Sequence, residues 1–226
     1  MENWQNYSGC KALSDEQIDR IAASFYGKYR LRDRAIFLTG VYTGFRISEI
    51  LSLDYGDLVE GSFIRNAVTV KKAYMKGKKE SRTMPPHFRA RSAISELINS
   101  LSGEYRLEKL PLFRSQGTEK RLTSRMFAIV LKQAAQTAGI SCQKLATHSM
   151  RKTFCSRLWS SPLISHDLAK LALLMGHRNP ANTLRYIQFL DNSLTEAVLA
   201  VLNCPISGLA QLFQNNYENL LSSGVL

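Results

Sequence analysis

The sequence predicts a mostly α-helical (α+β) domain, a helical bundle with one small antiparallel β-sheet or hairpin. Apolar residues recur at helical spacing along most of the chain, whereas residues 63–84 form short β-type runs separated by turn residues. Apolar residues make up 45% of the 226 residues, which is enough to bury a core. We therefore expect one domain over residues 1–226, with a short lead at 1–13 and an apolar tail or helix at 190–226.

The N-terminal part of the chain carries the signals of three helices. Ser14 can cap the first one, with Gln17 reaching back to complete a capping box before an apolar stripe at 18–25. A second apolar stretch at 34–41 leads into a Thr-Gly pair. Because glycine breaks a helix, we predict that Arg46 begins a new, short helix directly after this pair.

The middle of the chain changes to β-type spacing. Phe63-Ile64, Val68, Val70 and Tyr74 suggest strands, and residues 76–79 supply a Gly-containing turn. A final run at 82–84 ends at two prolines. These signals predict the small antiparallel sheet or hairpin.

Helical spacing resumes after the prolines and continues through the C-terminal half. Gly139 marks the expected end of one helix, and Ser193 with Glu196 forms a capping box at the start of the last. No internal repeat, low-complexity run or Gly/Ser linker divides the chain. The predicted helices cover 90–101, 123–138, 148–159, 167–175, 180–189 and a segment from Ser193 onward.

The net charge indicates a polyanionic partner. The chain has 30 Lys and Arg against 18 Asp and Glu, a formal charge of +12, and every Lys and Arg lies within residues 1–186. Neutralising phosphates releases condensed counterions, so such a charge favours binding to nucleic acid. An acidic membrane surface is the rival partner, but no run approaches the roughly 20 apolar residues needed to span a bilayer.

The Cys and His residues do not form a recognisable disulfide or metal pattern. The cysteines lack a CxxC pair, and the histidines lack metal-ligand spacing along one helix. We expect reduced thiols, a cytoplasmic protein, and chemistry without a metal or cofactor. The residues concerned are Cys10, Cys142, Cys155, Cys204, His87, His148, His166 and His177.

Four short motifs carry the predicted chemistry. They are the Thr-Gly-Phe-Arg-Ile-Ser-Glu-Ile stretch around Arg46, a Lys76-Gly-Lys-Lys turn, a His148-Ser-Met-Arg151 stretch, and a Gly-His177 pair followed nine residues later by Tyr186. In type, order and final spacing these residues resemble the tyrosine recombinase (phage integrase) family. The resemblance runs from about residue 13 to 202, and it implies that this chain is the catalytic domain.

The arginines and histidines of these motifs suit a phosphate site. A planar guanidinium offers two parallel donors to two phosphate oxygens, and His148 and Arg151 share a helix face if the stretch is helical. The family resemblance makes Arg46 and Arg151 the phosphate clamp. It implies that His148 moves a proton and that His177 donates to the transition state.

The resemblance also implies a nucleophile, an acid and an orienting carboxylate. Tyr186 would be the nucleophile, and since a phenol has a pKa of about 10, it needs a nearby proton acceptor and positive charge. Lys76 would protonate the departing 5′ oxygen, although the turn has one extra residue relative to the family pattern, so Lys78 is an alternative. Glu49 would lie behind Arg46 and orient it.

The implied activity is site-specific DNA strand breaking and rejoining, of the integrase or invertase type, through a 3′-phosphotyrosyl intermediate. Its partner would be double-stranded DNA with a specific target site, bound by a homotetramer and without ATP or metal. Two other functions stay open at this point. They are a non-catalytic DNA-binding regulator on the same fold, and a relaxation activity like that of type IB topoisomerases.

Most members of the family carry a separate N-terminal, core-binding helical domain that closes around DNA. Only residues 1–13 precede the predicted catalytic domain here, so we expect that domain to be absent. The chain would then be either a fragment or a single-domain member, like the fimbrial phase-variation invertases.

Overall fold

The structure is a computed structural model, and it describes residues 10–61, 63–74, 81–164, 166–177 and 183. The predicted mostly helical fold with a small antiparallel β component is confirmed within these residues. The elements are α1 (Asp15–Ala23), α2 (Arg30–Thr43), α3 (Ile47–Ile50), α4 (Tyr55–Leu58), β1 (Val59–Glu60), β2 (Phe63–Ile64), β3 (Val68–Val70), β4 (Arg82–Met84), α5 (Phe88–Asn99), α6 (Ser124–Thr137), α7 (Thr147–Trp159) and α8 (Leu168–Met175).

The capping box predicted for α1 is confirmed. The Ser14 hydroxyl accepts from the Gln17 N–H at 3.2 Å, and the Gln17 side-chain oxygen accepts from the Ser14 N–H at 3.2 Å. The two bonds satisfy donors that a helix start otherwise leaves open. Ile18 and Ile21 then point into the core and are fully buried.

Helix α2 is the centre of the bundle and packs mainly against α5 and α7. Gly40 allows α7 to approach closely, since a Cβ there would lie 2.7 Å from the Met150 sulfur. The helix is longer than the predicted 34–41 stretch and starts at Arg30. Its first turn contains a buried ion pair, with Arg32 Nη2 2.7 Å from Asp33 Oδ1. Because charged residues usually lie on the surface, the sequence pattern did not place this turn in the helix.

The strands form two antiparallel pairs, β1 with β2 and β3 with β4. In the second pair Val68 faces Met84 and Val70 faces Arg82, as the predicted hairpin requires. The prediction of a strand at Tyr74 is wrong, because residues 72–74 form a 3₁₀ turn in which the Tyr74 N–H donates to the Lys71 carbonyl at 3.0 Å.

An ion-pair network fixes the end of β3. The Lys71 ammonium lies 2.9 Å from Asp57 Oδ1 and 3.5 Å from Asp54 Oδ2, and Arg121 donates to Asp54 Oδ1 at 2.6 Å. Because Asp54 caps helix α4 and Asp57 lies within it, this network ties the β3–β4 pair to the segment that follows α3. The sequence analysis did not identify α4.

The later helices lie within one or two residues of their predicted positions. Helix α5 begins earlier than predicted because the His87 ring accepts from the Arg89 N–H at 3.3 Å and caps it. Gly139 follows α6 with a φ of 67°, in keeping with the predicted stop. The predicted helices at 180–189 and beyond Ser193 lie outside the described residues, except for Thr183. None of the helices described is long and apolar enough to cross a bilayer.

Candidate active site

The candidate site is built on the turn that follows α2. Gly44 ends this helix in a left-handed conformation, with a φ of 61°. A Cβ at this position would lie 2.3 Å from Cδ1 of the Phe154 ring on α7. Both the backbone angle and the space therefore require glycine. The tight turn directs the chain into α3, and Arg46 is the residue that precedes the first turn of that helix.

Glu49 holds Arg46 through both its backbone and its side chain. Its Oε2 accepts from the Arg46 N–H at 2.8 Å, and its Oε1 accepts from Arg46 Nη1 at 2.6 Å. Glu49 is fully buried, whereas the Arg46 side chain remains 23% exposed. The carboxylate thus fixes one edge of the guanidinium, and part of the guanidinium still faces solvent.

Arg151 joins three segments of the site from the buried face of α7. Its side chain is 1% exposed and donates to the carbonyl oxygens of Gly44 and Met175. Its Nη2 also lies 2.9 Å from Nε2 of His177. The guanidinium therefore ties the turn after α2 to the end of α8.

The partners of His177 define its tautomer. An arginine can only donate, so the Nε2 atom facing Arg151 accepts, and the proton is on Nδ1. Nδ1 then donates to the Thr183 hydroxyl oxygen at 2.9 Å. Thr183 is fully buried, and the sequence offered no sign of this contact.

Both histidines of the site have lowered pKa values. Burial, together with Arg151 and then Arg46 and Arg82, lowers the pKa of His177 to about 4. Partial burial lowers the pKa of His148, and Arg151 and Arg46 lower it further. His148 is nevertheless exposed at the edge of the site. Both rings are therefore neutral at pH 7 and available as hydrogen-bond acceptors or proton acceptors.

Arg82 is a further arginine in the site, and none of the predicted site residues corresponds to it. Its side chain is 7% exposed and donates to the Thr43 carbonyl at 2.7 Å and, at a longer 3.4 Å, to the Gly44 carbonyl. Its guanidinium carbon lies 4.9 Å from the centre of the Phe45 ring. The sequence does contain a signal for a buried role of this arginine. Arg82 occupies an inward position of β4, where a hairpin normally places an apolar residue.

The structure brings five of the predicted site residues together and leaves the others untested. Lys76, its alternative Lys78, and Tyr186 lie outside the described residues. Among the described residues, no group of three or more His, Cys, Asp or Glu side chains is placed to hold a metal ion. The residues that converge are Arg46, Glu49, His148, Arg151 and His177.

The charges of this arrangement suit a bound anion. The guanidinium groups of Arg46 and Arg82 face the buried carboxylate of Glu49, and the guanidinium of Arg151 adds a third positive charge near Arg82. The excess positive charge lies in a partly desolvated place, where it attracts an anion more strongly than it would in water. A phosphodiester, with two non-bridging oxygens to share among guanidinium donors, fits this chemistry.

Comparison with known proteins gives a consistent family. The model of the phage integrase family matches residues 11–193. The tyrosine recombinase XerD of Rickettsia bellii is 28% identical over 160 residues, which cover 70% of this chain and 52% of the relative. The probable integrase/recombinase YoeC of Bacillus subtilis is 26% identical over 186 residues, which cover 82% of this chain and 92% of the relative.

Solved structures share the fold. The XerH site-specific recombinase, in a post-cleavage complex with a palindromic difH substrate, matches with a TM-score of 0.63 and 23% identity. That match covers 84% of this chain and 52% of the XerH chain. The chain spans about half the length of the XerC, XerD and XerH relatives that it matches.

Proposed function

Because the chain belongs to the phage integrase family of tyrosine recombinases, we propose that it is a site-specific DNA recombinase. It cleaves and rejoins DNA by transesterification through a covalent 3′-phosphotyrosyl link to Tyr186. The observation that carries this proposal is the convergence of Arg46, Arg151 and two neutral histidines on one partly buried, positively charged site.

The phosphate is held by the two arginines. Arg46 has a fixed edge on Glu49 and presents its remaining donors to one non-bridging oxygen. Arg151 addresses the second oxygen from α7, and for this it exchanges a carbonyl partner for the phosphate. An exchange of this kind is favourable because an anionic oxygen is a stronger acceptor than a neutral carbonyl.

Cleavage requires two proton transfers, one from the nucleophile and one to the leaving group. The Tyr186 oxygen attacks phosphorus and loses its proton to neutral His148, while the bond from phosphorus to the 5′ oxygen breaks. Lys76, or Lys78 in its place, donates a proton to that oxygen and frees a 5′ hydroxyl. The reverse attack by a 5′ hydroxyl of a partner strand restores a phosphodiester and releases Tyr186, so the bond energy is conserved.

His177 has a separate task in this scheme. Its Nε2 accepts from Arg151 in the structure, so it first orients the arginine. To donate to the transition state, His177 must move its proton from Nδ1 to Nε2 when Arg151 turns to the phosphate. The Thr183 hydroxyl can accept or donate and therefore accommodates either tautomer.

The proposed substrate is double-stranded DNA with a specific target site, bound by a homo-oligomer, which we expect to be a tetramer. The formal charge of +12 supports a polyanionic partner. The XerH relative is described with its difH DNA substrate, and this supports DNA as the class of substrate for the present chain.

The test is a covalent adduct on a suicide substrate. The DNA carries a nick beside the scissile phosphate, so that cleavage releases a short fragment and rejoining is blocked. Candidate sites come from the DNA that flanks the gene for this protein. Adducts are read on a denaturing gel for the wild-type protein, for Tyr186→Phe and for Tyr26→Phe, a control at an exposed tyrosine.

We expect an adduct with wild type and Tyr26→Phe and none with Tyr186→Phe. Salt-sensitive DNA binding without any adduct would instead indicate a non-catalytic regulator. An adduct followed by relaxation of supercoiled DNA, without exchange between two duplexes, would indicate a topoisomerase-like activity.

A further inference from the structure

Arg82 links the two segments that carry the predicted phosphate ligands. Its guanidinium donates to the carbonyls of Thr43 and Gly44, the turn that presents Arg46. Its aliphatic stem packs against Gly176, where a Cβ would lie 3.2 Å from Arg82 Cδ. Gly176 directly precedes His177 in the chain. One side chain therefore sets the spacing between the turn after α2 and the end of α8.

The carboxylate of Glu49 also faces Arg82. Arg82 Nη1 lies 3.9 Å from Glu49 Oε2, while the other oxygen of the same carboxylate binds Arg46 Nη1 at 2.6 Å. The carboxylate thus lies between two guanidinium groups and is fixed from both sides.

We propose that Arg82 is a positioning residue of this site, which fixes the turn and the carboxylate that aim Arg46 and the α8 end that carries His177. The inference rests on the function proposed above. In this role Arg82 keeps its contacts with the Thr43 and Gly44 carbonyls while Arg151 turns to the phosphate.

The charge of Arg82 is buried and only partly balanced by nearby charges. Burial lowers its pKa to about 9, and nearby Arg151 adds to the lowering, whereas Glu49 opposes it. Its Nε atom is buried and has no hydrogen-bond partner among the described residues. Arg82→Met removes a donor from the buried carbonyl oxygens of Thr43 and Gly44, and the loss of a donor to a buried acceptor lowers stability. The adduct rate of each variant is therefore measured well below its own thermal midpoint, so that folded proteins are compared.

The experiment compares Arg82→Met, which removes the charge and the hydrogen-bond donors, with Arg82→Lys, which keeps the charge but lacks the planar set of guanidinium donors. Arg32→Met is the matched control, since Arg32 is 8% exposed and also buried in an ion pair, but lies at the opposite end of α2. For each protein we would measure the adduct rate at saturating suicide DNA, the dissociation constant for DNA, and the thermal midpoint.

For Arg82→Met we expect an adduct rate about 10- to 100-fold lower, because a displacement of about 1 Å in a reacting geometry has an effect of that size. DNA affinity should stay near wild type, the thermal midpoint should fall because two buried carbonyls lose a donor, and Arg82→Lys should recover part of the rate. Arg32→Met should also have a lower thermal midpoint, but a normal adduct rate at temperatures well below that midpoint.

A wild-type rate in Arg82→Met would overturn the inference. A loss of rate in Arg32→Met as large as that in Arg82→Met, at a similar fall in thermal midpoint, would also overturn it, since it indicates a purely structural effect. If wild type itself forms no adduct, the proposed function fails. The positioning role of Arg82 is then tested separately, by the backbone amide chemical shifts of the variants. Shifts at Gly44 and His177 in Arg82→Met, absent in Arg32→Met, support the positioning role, and unchanged amides contradict it.

Discussion

Arg151 donates to the carbonyl oxygen of Gly44, a contact between residues 107 positions apart in the chain. The same guanidinium donates to Met175 O and faces His177 Nε2 at 2.9 Å. A lysine at this position would keep the charge but could serve only part of this set. Replacing Arg151 by lysine therefore tests whether the site needs the shape of the guanidinium as well as its charge.

Arg151→Lys should abolish detectable adduct formation and lower the free energy of unfolding by about 2–4 kcal/mol, because each buried acceptor left without its donor costs about 1–3 kcal/mol. Arg157→Lys on the same helix, at a side chain 32% exposed, should stay within about 1 kcal/mol of wild type. Urea unfolding and the suicide-substrate gel measure both effects. Normal cleavage by Arg151→Lys would show that charge alone suffices.

Glu49 should act through Arg46. Glu49→Gln keeps an oxygen that can accept from the Arg46 N–H or guanidinium but removes the charge, and we expect the adduct rate to fall about 10- to 100-fold. Glu49→Ala removes both bonds and should be slower still. It should also lose about 3–5 kcal/mol of stability, because it leaves buried guanidinium groups without their carboxylate. Glu60→Gln, at an exposed ion pair with Arg65, is the control. Equal rates for all three variants would contradict the orienting role.

Gly44 should tolerate no side chain. Gly44→Ala should lower the free energy of unfolding by roughly 2–5 kcal/mol. About 1–2 kcal/mol comes from the left-handed backbone and about 1–3 kcal/mol from the overlap with Phe154. Gly27→Ala isolates the first contribution, since Gly27 has a φ of 77° but nothing within 4 Å of its Cβ position. Denaturant unfolding of the two variants gives the difference. Equal losses would show that Phe154 moves aside freely.

His177 should make stability depend on pH. Its folded pKa of about 4 lies below the ordinary value of 6.5, so the unfolded chain binds the proton more readily between these values. Its contribution is complete above about pH 6.5 and is lost as the pH falls toward 4, on the order of 1–3 kcal/mol. His177→Gln, which can still accept from Arg151, should flatten the stability curve in this range. Parallel curves for the two proteins would contradict the lowered pKa.

Local sequence signals predicted most of the helices. The Ser14 capping box and the Gly44 break are encoded by a few adjacent residues, and both appear in the structure. Elements of two to four residues, such as α4 and β1, are too short to show a hydrophobic period. Tyr74 was placed in a strand from its residue type, but the Lys71 ion pairs with Asp54 and Asp57 mark the end of β3 and a turn follows.

The site residues that belong to motifs of characteristic type and spacing could be predicted from the sequence. Residues whose partners in the site are backbone atoms could not. Arg46, His148, Arg151 and His177 were selected by motif, and the structure brings them together. Arg82 was not selected, because a basic residue in a basic hairpin looks solvent-exposed. Its partners are carbonyl oxygens of Thr43 and Gly44, which every residue type supplies and no sequence pattern marks.

The central claim is tested most directly by locating the DNA attachment on the chain. The trapped adduct would be digested with nuclease and trypsin and analysed by fragmentation mass spectrometry. Arg185 precedes Tyr186 and no Lys or Arg follows, so trypsin releases residues 186–226 as one peptide that also contains Tyr217. We predict a 3′-linked nucleotide on Tyr186, at the N-terminus of this peptide. A nucleotide on Tyr217 or any other residue, or one linked through its 5′ phosphate, would contradict the account.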